Sequence, residues 1–308
     1  GTMSGLTIED LKSGRIDQIH KDLSNSSNLS DNSIKDIFED KDGSIWLGTN
    51  FGGVSVFHPT KSYFKIYRAN PYINSLSGDL ISQLKVDRLD NLWIGTEGNG
   101  LDYLDRKTQR FTSISGTYGQ IRSSTVKSIW VDTDRIWIGL FDGGIDVLGQ
   151  NGNNIQSLSP GLHSLNQGYI SSIQRHPDGK YWIGTASNGI NIYDSTHQRF
   201  SYINDTSKVR LSNNYIKDIL IDQSANVWVG TVKGLNVLWK NTTQFELYEI
   251  GEEGLTSSYI HCIRESPSKE IWIGTYKGGV YRFDKSTHKF DRWSTQEGLP
   301  SPNIMSLE

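Results

Sequence analysis

Cysteine occurs once in this 308-residue chain, at Cys262, so no internal disulfide can brace it. Methionine (2) and proline (7) are also scarce, and few prolines leave long stretches free to enter sheets. No run approaches the ~20 apolar residues of a membrane-spanning helix. The N-terminus does not read as a secretory leader, so the expectation is a cytoplasmic chain or one whose targeting parts lie elsewhere. Net charge is −3 and no Lys/Arg cluster stands out, which argues against a nucleic-acid or anionic-membrane surface. His-Glu-x-x-His, paired cysteines, a Gly-rich phosphate loop and a nucleophile elbow are all missing, so the sequence predicts no metal site and no cofactor.

What the chain has in quantity is glycine (31) and tryptophan (9). Trp-apolar-Gly-Thr, or a near copy, begins at Trp46, Trp93, Trp137, Trp182, Trp228 and Trp272. The intervals, by subtraction, are 47, 44, 45, 46 and 44 residues. A period of this size without helical patterning predicts stacked four-stranded sheets, an all-β propeller. Repetition overrules the length prior of roughly 150 residues per domain and predicts one domain, because one repeat cannot bury its own apolar faces.

Each unit opens with apolar residues three apart, such as Ile34 and Ile37 or Ile216 and Ile219. A polar turn follows, Asp40-Lys41-Asp42-Gly43 being the clearest copy; Asp bonds nearby backbone and Gly supplies positive φ. Asp40, Asp87, Asp132 and Asp222 recur at one position, which predicts turn-making rather than chemistry. The Trp strand has two apolar faces, as a sheet sandwiched between neighbours requires. The sequence predicts inter-blade packing for the indoles, with the Gly two residues on leaving room for it. An alternating third strand (Val54–Phe57) and an outer strand opening with an aromatic (Phe64) complete the unit.

The ends match each other's missing parts. Gly1–Ile8 aligns with Gly230–Val237, and Leu299–Leu307 with Leu255–Ile263. Placing Glu308 on Arg264 and Gly1 on Gly274 leaves only 265–273 without a counterpart. The expectation is a seven-bladed β-propeller of four-stranded antiparallel blades over residues 1–308. Six complete blades span about 29–294, and one blade is split between 1–22 and 299–308. The rival is a six-bladed piece of a longer array with frayed ends.

Leu211-Ser212-Asn213-Asn214-Tyr215-Ile216, Val227-Trp228-Val229-Gly230-Thr231 and Gly234-Leu235, with Leu29-Ser30-Asp31-Asn32 and Leu76-Ser77-Gly78-Asp79, resemble the two-component regulator propeller repeat. The resemblance covers essentially the whole chain. It implies the periplasmic sensor part of a hybrid two-component system that responds to oligosaccharides for polysaccharide utilisation. The implied partners are an oligosaccharide, a second propeller domain or a second copy in a homodimer. The membrane would be reached only through parts that this chain does not contain. The alternatives are a protein-interaction scaffold and, less favoured, a carbohydrate-active lyase or hydrolase.

In such a blade, the turns after the Trp strands and the blade-to-blade connections share one face, where function tends to sit. The candidate ligand-binding residues there are Phe51, Glu97, Asn99, Phe141, Asp142, Asn188, Tyr276 and Lys277. Tyr169, Tyr215 and Tyr259 join them at the mouth of the first strands. Glu97 and Asp142 are the one carboxylate pair that could act as acid and base; no catalytic residue is assigned. The long connections 66–76, 159–165 and 204–211 are candidate lids or contact surfaces.

Overall fold

The computed structural model describes residues 1–308 apart from 11–12, 23–27, 59–63, 115–119 and 252–254. Six four-stranded antiparallel sheets follow one another, each made of four consecutive strands in chain order. The first contains Ile34–Glu39, Ile45–Thr49, Val54–Phe57 and Phe64–Tyr67; the sixth contains Ile260–Glu265, Ile271–Thr275, Gly279–Asp284 and Lys289–Trp293. We number them blades 1 to 6. First strands of successive blades contact one another, so they form the inner ring of a propeller.

Glycine sets the blade spacing. A Cβ built on Gly48, Gly95, Gly139, Gly184, Gly230 or Gly274 would lie 2.5–2.9 Å from Ile81, Val126, Ile170, Ile216, Ile260 or Ile304, each the leading apolar residue of the next sector. Any side chain there would push two sheets apart. Gly1 makes the same approach to Ile34, at 2.7 Å.

Trp46, Trp93, Trp137, Trp182 and Trp228 are buried and Trp272 half-buried, as inter-blade packing requires. The turn carboxylates do more than shape turns. Asp40 accepts from the Trp46 indole N–H at 2.7 Å and Asp222 from that of Trp228 at 3.0 Å. The neighbouring blade supplies a second partner: Arg106 on Asp40, the Tyr181 hydroxyl (2.7 Å) on Asp132, and Lys285 (3.0 Å) on Asp222. Burial opposes ionisation of Asp222, yet bonds from Asn226, Trp228 and Lys285 outweigh it and hold its carboxyl below the usual range. Its stabilising contribution is therefore present above the unfolded value near ~3.9 and lost as pH falls through the lower folded value. Asp222→Asn should cost about 2–3 kcal/mol at pH 7, read as a lower urea midpoint, and the deficit should shrink on acidification.

The two chain ends meet. Thr2 forms an antiparallel bridge with Ile304, the Gly1 amine donates to the Ser306 carbonyl at 2.9 Å, and the Met305 N–H donates to the Gly1 carbonyl at 3.1 Å. The Thr2 hydroxyl donates to the Gly5 carbonyl (2.9 Å), as the Thr49 hydroxyl does to Gly53 (2.8 Å) in blade 1. Next comes a hairpin of Leu6–Asp10 and Arg15–Ile19. A seventh sector, built from both termini, thus fills the space between blades 6 and 1.

The connection at 66–76 is drawn onto the outer strand of blade 2, where Asn74 exchanges two hydrogen bonds with the Phe111 backbone (2.8 and 2.7 Å). Its exposed Tyr72 and Ile73 therefore stand at the outer rim instead of over the axis.

Candidate functional site: the mouth of the central channel

Each inner strand pairs with its Trp strand through a register shift that leaves one residue unpaired: Lys35, Ser82, Lys127, Ser171, Lys217 and His261 in blades 1 to 6. A bulge adds a residue and re-aims its side chain. It also explains the three-residue apolar spacing, since strict alternation would put Ile34 and Ile37 on opposite faces. These six residues line one axial channel of about 290 Å³.

The residue after the bulge has a structural duty. Asp36 accepts from the Leu84 N–H (2.6 Å), Ser172 from Ile219 (3.2 Å) and Asp218 from Ile263 (3.0 Å), each reaching into the following blade. Arg264 then pairs with Asp218 at 3.0 Å and lies 3.9 Å from Asp36. This deeper layer is satisfied and holds the inner strands together.

The mouth differs. One backbone bond recurs around it, from the residue following each Trp motif to the residue preceding the inner strand: Glu97 to Leu80, Phe141 to Thr125, Tyr276 to Tyr259. That bond brings turn and strand side chains together. Phe141 lies 5.1 Å from Tyr169, and Tyr259 lies 5.6 Å from Tyr276, between ring centroids. The Lys127 ammonium sits 5.6 and 5.8 Å from the Phe141 and Tyr169 rings, and that of Lys217 sits 5.7 Å from both Tyr215 and Tyr259. Those are cation–π distances. Blades 3 to 6 therefore present a continuous arc of aromatics with two ammonium groups between the rings.

Electrostatics follow from burial. The Tyr169 hydroxyl, buried and facing Tyr215 and Glu97, is pushed up to about 12. Burial, then Lys217 and Lys35, lower His261 to about 4, so its imidazole is neutral at pH 7. Burial lowers Lys217 as well, with Lys35 and Lys127 adding to the effect.

Of the residues expected from sequence, the structure assembles Glu97, Phe141, Tyr169, Tyr215, Tyr259 and Tyr276. Phe51 stands 66% exposed on its turn, and Asn99 and Asp142 are exposed on theirs. The Lys277 ammonium lies 5.1 Å from Tyr276 at the rim. Asn188 is occupied in two bonds with the Asn166 backbone and side chain (2.8 and 2.9 Å), a structural task. The Glu97 carboxylate is bound to Lys127 at 2.8 Å. Sequence reading missed Lys35, Lys127, Lys217 and His261. Their signal was available as the residue following the first apolar position of every repeat.

The family described as "Two component regulator propeller" matches residues 28–51, 164–187 and 254–277, all spanning an inner strand and its Trp strand. A curated relative, "Histidine kinase P4" of Formosa agariphila, is 28% identical over 247 residues, 77% of this chain. The chain spans only 18% of that kinase. Among solved structures, an extracellular domain described as part of a hybrid two-component system of B. thetaiotaomicron superposes with a TM-score of 0.72 at 18% identity. The match covers 99% of this chain and 47% of that one. Virginiamycin B lyase from Staphylococcus aureus also superposes (TM-score 0.65, 13% identity, 85% of this chain and 84% of that one), so the fold alone serves binding and catalysis. Among the described residues, no helix is long and apolar enough to cross a membrane. The inner and Trp strands of blades 1, 4 and 6 thus carry the two-component regulator propeller repeat.

Proposed function

We propose that this propeller is the extracytoplasmic ligand-sensing part of a hybrid two-component system, and that it responds to oligosaccharides. The observation that carries the reading is the aromatic arc at the channel mouth, contributed by four successive blades. Flat apolar rings beside ammonium and hydroxyl groups offer a sugar stacking surfaces and hydrogen-bond partners at once. Similarity to a histidine kinase and to the extracellular domain of a hybrid two-component system supports the sensor role, with a periplasmic location as its consequence. In the same reading, the sector shared by the chain ends is a seventh blade, which gives the arc a closed and rigid base. In this reading the domain binds rather than catalyses, with Glu97 serving as the partner of Lys127.

Calorimetric titration with an oligosaccharide library tests the site. A Tyr215→Ala/Tyr259→Ala double variant should bind the best ligand at least tenfold more weakly, about 1.4 kcal/mol, while melting within a few degrees of the parent. Undiminished affinity would remove the mouth from consideration.

A second reading concerns partners. Tyr72 (92% exposed) and Leu162 (89%) stand on the outer-rim connections, where a second propeller domain or a second copy would find apolar purchase.

A further inference from the structure

The channel mouth carries more positive charge than stacking on a neutral sugar would need. Three blades place lysine at the bulge position: Lys35, Lys127 and Lys217. A bulged residue is left out of the strand ladder, and these side chains serve none of the inter-blade bonds made one residue further on. Lys127 is matched by Glu97 at 2.8 Å. Neither Lys35 nor Lys217 has an ion-pair partner among the described residues. The carboxylates next in sequence, Asp36 and Asp218, are committed to backbone N–H groups and to Arg264. His261, neutral at pH 7, does not add charge there but shows its sign, since Lys217 and Lys35 both suppress its protonation.

Like charges converging in a half-buried channel destabilise the empty protein, and a bound anion would relieve that repulsion. The layer below holds both signs, Asp36 and Asp218 with Arg264 and Lys85, whereas the bulge level has Lys35 and Lys217 without carboxylates of their own.

We infer that the channel mouth binds an anionic group on its saccharide, a sulfate ester or a carboxylate, with Lys217 and Lys35 as counter-ions and Tyr215 and Tyr259 against the sugar ring. This rests on the oligosaccharide reading and narrows it to acidic glycans. A pH dependence follows. The groups facing Lys217 are Lys35, Lys127 and His261 around it, Tyr215 and Tyr259 beside it, and Asp218 below. Affinity for the anion holds while Lys217 is protonated. It falls as pH rises through the lysine's lowered value, before the ordinary lysine range near ~10.4. Added salt should weaken it too.

The test is calorimetry on the 308-residue chain with five probes. These are tetragalacturonate, its methyl ester, sulfated cellotetraose, cellotetraose and sodium sulfate. Each is repeated on Lys35→Gln/Lys217→Gln, with melting curves to confirm folding. The expected result is that one acidic tetrasaccharide binds at least tenfold tighter than its uncharged parent, and that the double variant erases the difference. Equal binding of charged and uncharged sugars, unchanged in the double variant, overturns the anion site but leaves oligosaccharide sensing standing. Sodium sulfate binding as tightly as sulfated cellotetraose keeps the lysine site and overturns its assignment to a sugar. Silence of all five probes overturns the inference. If the double variant misfolds, Lys217→Arg, which keeps the charge, should retain the preference; its loss there also overturns the inference.

Discussion

Replacing Trp228 with alanine should lower the unfolding free energy by about 3–5 kcal/mol and leave ligand titration unchanged below the melting transition. Trp228 is fully buried and makes edge contacts with Trp239 and Phe283, at 5.4 and 5.2 Å between centroids. Its indole N–H is a partner of the buried Asp222 carboxylate, so truncation opens a cavity and removes a bond from a buried charge. The effect should stay local. Trp228 lies at the Asp222 end of its strand, whereas the channel mouth lies beyond Thr231 at the other end. Urea unfolding and calorimetry on one preparation check both halves. An unchanged urea midpoint with lost ligand binding would mean that the indole is a ligand contact and that its place in the packing is misassigned.

Removal of residues 299–308 should be as damaging. Ile304 is buried, fills the space left by Gly274 and clusters with Cys262 and Val280; Leu299 and Leu307 pack against that cluster. Losing the burial of these three side chains costs up to about 4.5–6 kcal/mol at 1.5–2 each, comparable with the whole stability of many domains. The truncated protein also loses the partner of Thr2 and bares an inner strand edge, which invites association. We expect a melting point lower by more than ten degrees or recovery as aggregate on size exclusion. A monomer that melts with the parent would show that the ends do not close the ring.

Much of the architecture was legible because repetition averages out local ambiguity. A single Trp-Ile-Gly-Thr says little, but six at a nearly constant interval fix an equivalent strand in each blade. The chain-end alignment was legible for the same reason, and Thr2 does repeat the Thr49 clamp. The site was less legible. The inner strand was read through its apolar positions alone; their three-residue spacing carries the bulge that turns Lys35, Lys127 and Lys217 into the channel, but the unpaired residue emerges only from the strand register. Among the turn residues, those directly after the Trp motif (Glu97, Phe141, Tyr276) are drawn to the mouth by a backbone bond. Those one or more places further on (Phe51, Asn99, Asp142, Lys277) face the rim. That one-residue difference is decided by pairing between segments far apart in sequence, which residue type does not reveal. Asp40 and Asp222 were rightly placed in turns, but their grip on the indole and on the next blade needed coordinates.

The most direct measurement is a crystal structure of this propeller soaked with the tightest-binding oligosaccharide. The account predicts sugar density at the channel mouth, a ring against Tyr215 and Tyr259 and its acidic group beside Lys217 and Lys35. Density confined to the outer rim near Tyr72 and Leu162, with the mouth holding only solvent, would contradict it.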